Sequence, residues 1–430
     1  MSLFDTPRPV SWQACSACGE ERVETDRATR CGCGGLLEVR HQALTDPDGS
    51  LRAMFQTRCC TRPGTIASGV WRFRELVMPS IEVASIVSHP EGNTPLLDRP
   101  ALAQWSGAAG LLLKHEGHNP TGSFKDRGMT VGVTQAKRIG ATAVACASTG
   151  NTAASLAAYA AQAGLPALVL VPAGQTALGK LTQTLAYGAR TLLVRGDFDA
   201  CLRLLEAASA SLGVYLVNSI NPWRVEGQKT IVLEMLQQLG WEAPDWIVLP
   251  AGNLGNTAAF GKALLEAREA GLIRRLPRIA AVQAAGAAPF HRGFLEGFRQ
   301  RHALPAETVA TAIKIGDPAS WPRAVRTIRE TDGVVAAVTD DEILAAKAAI
   351  DAAGVGCEPA SAASVAGVRQ LVAAGTIAAD DRVVAVLTGH VLKDPEILVR
   401  CHRDADPAPA WANRPVEIDA DLAAVEAAMR

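Results

Sequence analysis

The segment HNPTGSFKDRG, residues 118–128, sets one lysine, Lys125, between a run of turn-forming residues and the start of a helical pattern. A lysine with no chemical task belongs on a solvated helix face. Here Asn119, Pro120, Thr121, Gly122 and Ser123 build a tight loop rich in donors, and Phe124 adds an apolar wall. Such surroundings strip water from an ammonium group, lower its pKa and make its amine a nucleophile. Three further loops suit a ligand. STGNT, Ser148 to Thr152, combines hydroxyls, an amide and a helix start, which fits a carboxylate or another anion. GNLGN, Gly252 to Asn256, lets the backbone approach closely and aims free N–H groups at one place, which fits a phosphate. TGH, Thr388 to His390, ends a strand with a hydroxyl. Each loop alone has a plain structural reading: a surface lysine, a strand-to-helix turn, a satisfied core hydroxyl. Together they point to a phosphate-bearing cofactor that condenses with a lysine. Pyridoxal 5′-phosphate has that need, since it requires an amine, a phosphate cup and partners for O3′ and the ring nitrogen.

These loops must be held by something rigid. Short β-rich runs alternate with helical periods from about residue 92: TLLVRG at 191–196, WIVLPA at 246–251, RIAAVQAA at 278–285 and RVVAVLT at 382–388. Helices fall between them, including 230–240 and 339–354, the latter with Thr339 as N-cap and acids in its first turn. This alternation predicts a mostly parallel sheet covered by helices, with ligands beyond the carboxyl ends of the strands. From Ala141 to Gly179 no residue is charged. Ser148, Thr149, Asn151, Thr152, Gln162, Gly164, Pro166 and Pro172 interrupt it too often for a membrane span, so it reads as a buried βαβ unit.

The chain has 430 residues, 48% of them hydrophobic and 20% charged, with a formal net charge of -1. That is ordinary for a globular protein with a sizeable core and supplies no field for nucleic acid or an anionic membrane. An anionic small substrate must then be held by a few local cations and donors. Ten cysteines and no apolar signal core in the first ten residues predict a cytoplasmic location. Four cysteines form a pattern: Cys15 and Cys18 as C-x-x-C, then Cys31 and Cys33 as C-x-C, with glycines beside them. This suits a structural tetrahedral zinc ribbon, with a metal-free remnant and a redox pair as alternatives. Cys59, Cys60 and Cys146 lack ligand spacing and read as ordinary thiols.

NPTGSFKDRG, ASTGNTAASLAAYAA, NSINPWRVEGQKT, GNLGN, EPASAAS and LTGHVLKDP occur in the order found in the threonine synthases, and the chain resembles that family from about Gly92 to about Pro395. NPTGSFK alone fits several enzymes of the same fold; the combination is specific. The resemblance implies the tryptophan-synthase-β-like fold, fold type II of the pyridoxal-phosphate enzymes, with two doubly wound α/β domains and a small N-terminal ribbon. It implies that Lys125 bonds the cofactor and moves protons, Asn151 meets O3′, Gly252, Asn253, Leu254, Gly255 and Asn256 hold the cofactor phosphate, and Thr388 faces the pyridine nitrogen. A neutral hydroxyl there makes the ring a weaker electron sink than a carboxylate would.

The substrate implied is O-phospho-L-homoserine, with water added and threonine and phosphate released. Ser148 and Thr149 would take the substrate carboxylate, while Thr152, Asn218, Ser219 and Arg224 would form a second anion site for its phosphate. His118 stands where an apolar residue is expected, and Val391 where glycine is expected. A homodimer is expected. The expected boundaries are a Cys-rich segment at 1–45, a large domain at 46–124 and 216–403, a small domain at 125–215, and a tail at 404–430. Residues 46–91, rich in Arg, Pro and Gly, read as a linker ahead of the α/β pattern. Cysteate synthase, a threonine or serine dehydratase and a non-catalytic binding module are the competing readings.

Overall fold

The computed structural model describes residues 11–61, 64–174, 181–196 and 198–429. The first ten residues, read above for a signal core, and the end of the uncharged stretch, 175–179, lie outside them. The chain divides into two units, Met1–Lys393 and Asp394–Arg430.

Three sheets build the first unit. β1 (Ser11–Cys15), β2 (Glu21–Val23) and β3 (Leu37–His41) form a small antiparallel sheet with β1 in the middle. A six-stranded sheet contains β4 (Leu96–Asp98), β5 (Gly110–His115), β10 (Trp246–Pro250), β11 (Arg278–Ala284), β12 (Val334–Val338) and β13 (Arg382–Leu387). Its order is β12-β11-β10-β13-β5-β4, parallel except for β4. A four-stranded parallel sheet contains β6 (Ala143–Ala147), β7 (Ala167–Pro172), β8 (Arg190–Val194) and β9 (Val214–Leu216), in the order β8-β7-β6-β9.

The central strands of both larger sheets are buried on both faces. Along β10, Ile247 and Leu249 enter one core while Trp246 and Val248 enter another on the opposite face. Along β6, Val144 and Cys146 enter a third core, and Ala143, Ala145 and Ala147 a fourth. Alternate side chains of a strand point to opposite faces, so a continuous apolar run buries on both sides only if helices cover both. Helices between the strands do so, which is the doubly wound arrangement. The uncharged stretch is indeed β6, the helix Asn151–Ala163 and β7, with β6 and β7 parallel. Thr339 caps the helix Asp340–Ala352 in a capping box with Glu342. No helix among the described residues is long and apolar enough to cross a membrane.

One expectation needs correction. Residues 46–91 are not a linker. They hold the helix Ser50–Cys59 and bury Phe55, Trp71, Phe73, Val77 and Met78 in the same core as Ile247 and Leu249. Arg58 and Glu75 are buried there as a two-bond ion pair, at 2.6 and 2.8 Å. The Arg, Pro and Gly content hid this, because the apolar residues follow no helical or strand period. In the second unit, Asp421 caps a short helix, Leu422–Ala428.

Candidate active site

The lysine loop leaves the end of β5 and enters the helix Lys125–Arg138. Gly122 turns it with φ 83°, and its N–H donates to the Asn119 carbonyl at 2.8 Å. Two buried carboxylates hold its ends. Asp126 accepts from the Thr121 N–H at 2.7 Å and from the Thr121 and Ser155 hydroxyls, each at 2.6 Å. Glu116 accepts from Asn119 Nδ2 at 2.8 Å and from Arg127 Nε at 2.6 Å. The TGH loop seals the other side: Ser123 and Gly389 form an antiparallel bridge, and the Phe124 N–H donates to the Thr388 carbonyl at 3.0 Å. Lys125 keeps part of its surface open, with Nζ 4.1 Å from the centre of the Phe124 ring. Burial and then the nearby Arg224 cation lower its pKa to about 7, against the pull of the Glu358 carboxylate. The desolvated lysine expected from the loop is present.

Arg224 arrives on the helix Pro222–Gln228. Asn221 caps that helix, accepting from the N–H groups of Trp223 and Arg224, and Pro222 occupies its first turn. Three glycines bring the two helices together. A Cβ at Gly227 would stand 1.8 Å from the Arg127 carbonyl oxygen, and one at Gly128 would stand 2.9 Å from that of Arg224. A Cβ at Gly132 would meet Val217 and the Arg224 stem at 3.1 and 3.3 Å. The guanidinium is fully buried, and its Nη1 donates to the Val217 carbonyl at 3.0 Å. Its Nε and Nη2 have no partner. Burial brings its pKa down to about 10. A buried arginine with idle donors and no carboxylate is costly unless an anion completes it.

The GNLGN loop joins β10 to the helix Gly255–Glu269. Leu254, not a glycine, takes the left-handed conformation there, with φ 61°. No side chain caps this helix, so its first N–H groups stay open to a ligand. Asn256 Oδ1 and Thr257 Oγ1 are buried beside them without partners. Gly252 approaches so closely that a Cβ would stand 2.9 Å from the Ile313 Cα. Asn253 is a brace: its amide donates to Ser219 Oγ and its Oδ1 accepts from the Ala319 N–H at 2.6 Å.

Ser148, Thr149, Asn151 and Thr152 are half-buried at the open start of the helix Asn151–Ala163, which also lacks a side-chain cap. Asn218 bonds both the N–H and the carbonyl of Ala147, each at 3.3 Å, and so sets the end of β6. Ser219 meets Asn253, as above. Thr388 is buried, with its hydroxyl 2.9 Å from Ser361 Oγ and 3.1 Å from Glu358 Oε1. The other Glu358 oxygen accepts from Asn151 Nδ2 at 2.9 Å. Glu358 is the residue sequence reasoning left without a role, although EPASAAS contains it.

Residues 87–389 match the family described as "Pyridoxal-phosphate dependent enzyme". Threonine synthase of Methanocaldococcus jannaschii is 42% identical over 95% of this chain and 97% of its own length. The Methanosarcina acetivorans threonine synthase is 43% identical over 96% and 98%. This chain belongs to the threonine synthase family. The solved threonine synthase of Escherichia coli, 18% identical, superposes with a TM-score of 0.72 over 97% of this chain and 99% of that one, which shows the shared fold. The fold is therefore the fold type II architecture expected from the motifs.

For a member of the threonine synthase family, the site fits its cofactor on its own evidence. A lysine poised near neutrality, an uncapped helix start and two orphaned buried side-chain oxygens beside it are what pyridoxal phosphate would use. Neither departure from the family motifs enters the buried site. His118 is exposed, its ring centre 4.6 Å from that of His115, and Val391 packs over Gly356, where an added Cβ would stand 3.2 Å from its own.

The ribbon also assembles. Cys15, Cys18, Cys31 and Cys33 bring their sulfurs within 4.8 Å of one another. Three of the pairs lie at 3.5, 3.6 and 3.5 Å. Thiolates at the Zn–S bond length around a tetrahedral zinc stand about 3.8 Å apart. N–H groups of Cys18 and Ala17 aimed at its sulfur bring the Cys15 pKa to about 6. A Cβ at Gly35 would stand 2.6 Å from Cys15 Sγ, so only glycine fits.

Proposed function

We propose that this protein is a threonine synthase that converts O-phospho-L-homoserine and water to L-threonine and phosphate, with pyridoxal 5′-phosphate as cofactor. The observation that carries this reading is Arg224, a fully buried guanidinium with two idle donor nitrogens close enough to Lys125 to lower its pKa. A dehydratase acting on serine or threonine needs no second anion site; a phosphorylated substrate does.

The residues take the following roles. Lys125 Nζ would hold the cofactor through its aldehyde, and the helix start at Gly252–Asn256 would hold its phosphate, with Asn253 bracing that loop against Ser219. Asn151 would meet O3′ and Thr388 the ring nitrogen. Bound pyridoxal phosphate supplies a sink for the electron pair left when the substrate Cα loses its proton. Ser148 and Thr149 take the substrate carboxylate. Arg224, with Thr152, Asn218 and Ser219, receives the phosphate carried on Cγ. Lys125, once displaced, would take protons from Cα and then Cβ; phosphate leaves Cγ, a proton returns to Cγ, the hydroxyl of water adds at Cβ, and a proton returns to Cα to complete threonine. The amine is suited to both transfers because its pKa lies close to neutrality.

We propose a large domain at 46–124 and 216–403 and a small domain at 125–215, with this site between them. We assign the four ribbon cysteines to a structural zinc, since four thiolates leave no open position for chemistry. The protein is proposed to act as a homodimer in the cytoplasm. The functional test is a parallel assay of O-phosphohomoserine, O-phosphoserine with sulfite, serine and threonine. Threonine and phosphate formed only from the first supports the reading. Turnover of phosphoserine to cysteate, or ammonia release from serine, overturns it.

A further inference from the structure

Glu358 stands as N-cap of the helix Pro359–Ala373, yet its carboxylate makes no bond to that helix. A shorter acid, Asp, at this position would accept from the first-turn N–H groups. Here it turns the other way and is buried. Its two oxygens accept from different elements: Oε2 from Asn151 Nδ2 at 2.9 Å and Oε1 from the Thr388 hydroxyl at 3.1 Å. The fold keeps this space open for it, because a Cβ at Gly389 would stand 2.4 to 2.7 Å from the carboxylate. Burial raises its pKa, while the bonds from Asn151 and Thr388 and the charges of Lys393 and Lys125 favour the ionised form.

The hydroxyls behind it have little freedom. Ser361 Oγ accepts from the Gly389 N–H at 3.0 Å and lies 2.9 Å from Thr388 Oγ1. With the Thr388 proton given to Glu358, Ser361 donates its own proton to Thr388. A hydroxyl has one donor and two acceptor sites. One acceptor site of Thr388 then remains, and no donor proton. We propose that Glu358 is a positioning residue that makes Thr388 an acceptor, so that the cofactor ring nitrogen is met by an acceptor and retains a proton more readily than a lone hydroxyl allows. This rests on the reading that Thr388 faces the ring nitrogen. It changes the expectation from sequence: a carboxylate stands one hydroxyl away from the ring, and the electron sink is correspondingly stronger.

The test is the ¹⁵N NMR shift of ring-labelled pyridoxal phosphate reconstituted into the full-length protein, without substrate. In Glu358→Gln, with Asn151 donating to the new side-chain oxygen, the amide N–H₂ faces Thr388, whose proton loses its carboxylate acceptor and is free to turn toward the ring. The ring signal should move downfield, toward the unprotonated position, relative to the unsubstituted protein. Thr388→Val should move it in the same direction. A shift in Thr388→Val with none in Glu358→Gln overturns the proposal and leaves the Thr388 reading standing. No shift in either overturns both. If Glu358→Gln does not fold, Glu358→Asp serves, since its shorter side chain cannot span both donors; an unchanged signal there also overturns the proposal.

Discussion

Burial and the Arg224 guanidinium together lower the pKa of Lys125 across the crossing of two helices, and no carboxylate among the described residues completes that guanidinium. One cation therefore has two proposed tasks: it would take an anion, and it adds to the burial that disfavours the lysine's charge.

A pH dependence follows. Lys125 titrates at about 7, well below the ordinary lysine range, so its amine becomes free as pH rises through that value. The rate at which cofactor-free protein captures pyridoxal phosphate should rise with pH with a midpoint near 7. Arg224→Met removes a charge that disfavours the ammonium, so the midpoint should move up. A midpoint left in place by that substitution means the two groups do not interact.

Arg224→Ala should weaken substrate far more than cofactor. Truncating one partner of a buried, charged hydrogen-bonded pair costs on the order of 2–5 kcal/mol, or roughly 30-fold to several-thousand-fold. The loss should appear in kcat/KM for O-phosphohomoserine while the cofactor absorbance is retained. Unchanged kinetics would remove the second anion site.

Lys125→Ala should abolish the borohydride-reducible link to the cofactor and nearly all turnover. Peptide mapping of the reduced wild-type protein checks the position, and a pyridoxyl group on another lysine contradicts the assignment.

The helix crossing makes its own prediction. Gly227→Ala sets a methyl 1.8 Å from a carbonyl oxygen, so the helices must part. Overpacking costs typically 1–3 kcal/mol, occasionally more, and a denaturant midpoint measures it. A midpoint equal to wild type would show that the crossing is loose.

The lysine loop, the strand-to-helix turn at Gly252–Asn256 and the alternation of strands with helices were legible because each rests on local chemistry: turn residues, small residues at strand ends, β-rich runs. Glu358 and the helix glycines were not. Glu358 carries no local signal in the sequence, and only the approach of Asn151 and Thr388, 207 and 30 residues away, shows where its carboxylate turns. Gly128 and Gly227 have a packing role that only the contact of their two helices reveals. Trp71 and Phe73 were hidden for a similar reason, since a core residue in irregular chain has no period to reveal it.

The ribbon should be separable from the chemistry. Val39 ties it to the core that holds Ile247 and Leu249, and polar contacts add to this: Gln135 Nε2 donates to the Glu24 carbonyl at 2.9 Å, His41 meets Glu226 at 2.8 Å, and Arg138 pairs with Glu24. Replacing Cys15 and Cys18 by Ser should abolish zinc binding, read by elemental analysis, and loosen the N-terminal segment, while protein that folds keeps its cofactor and its affinity for O-phosphohomoserine. A folded, cofactor-loaded double variant without turnover would place the ribbon in catalysis.

The most direct measurement of the central claim is product stoichiometry with purified, cofactor-loaded protein and O-phospho-L-homoserine. The reading predicts one threonine for each phosphate released, with both lost in Lys125→Ala and both strongly reduced in Arg224→Ala. Phosphate without threonine, or turnover indifferent to Arg224, would contradict it.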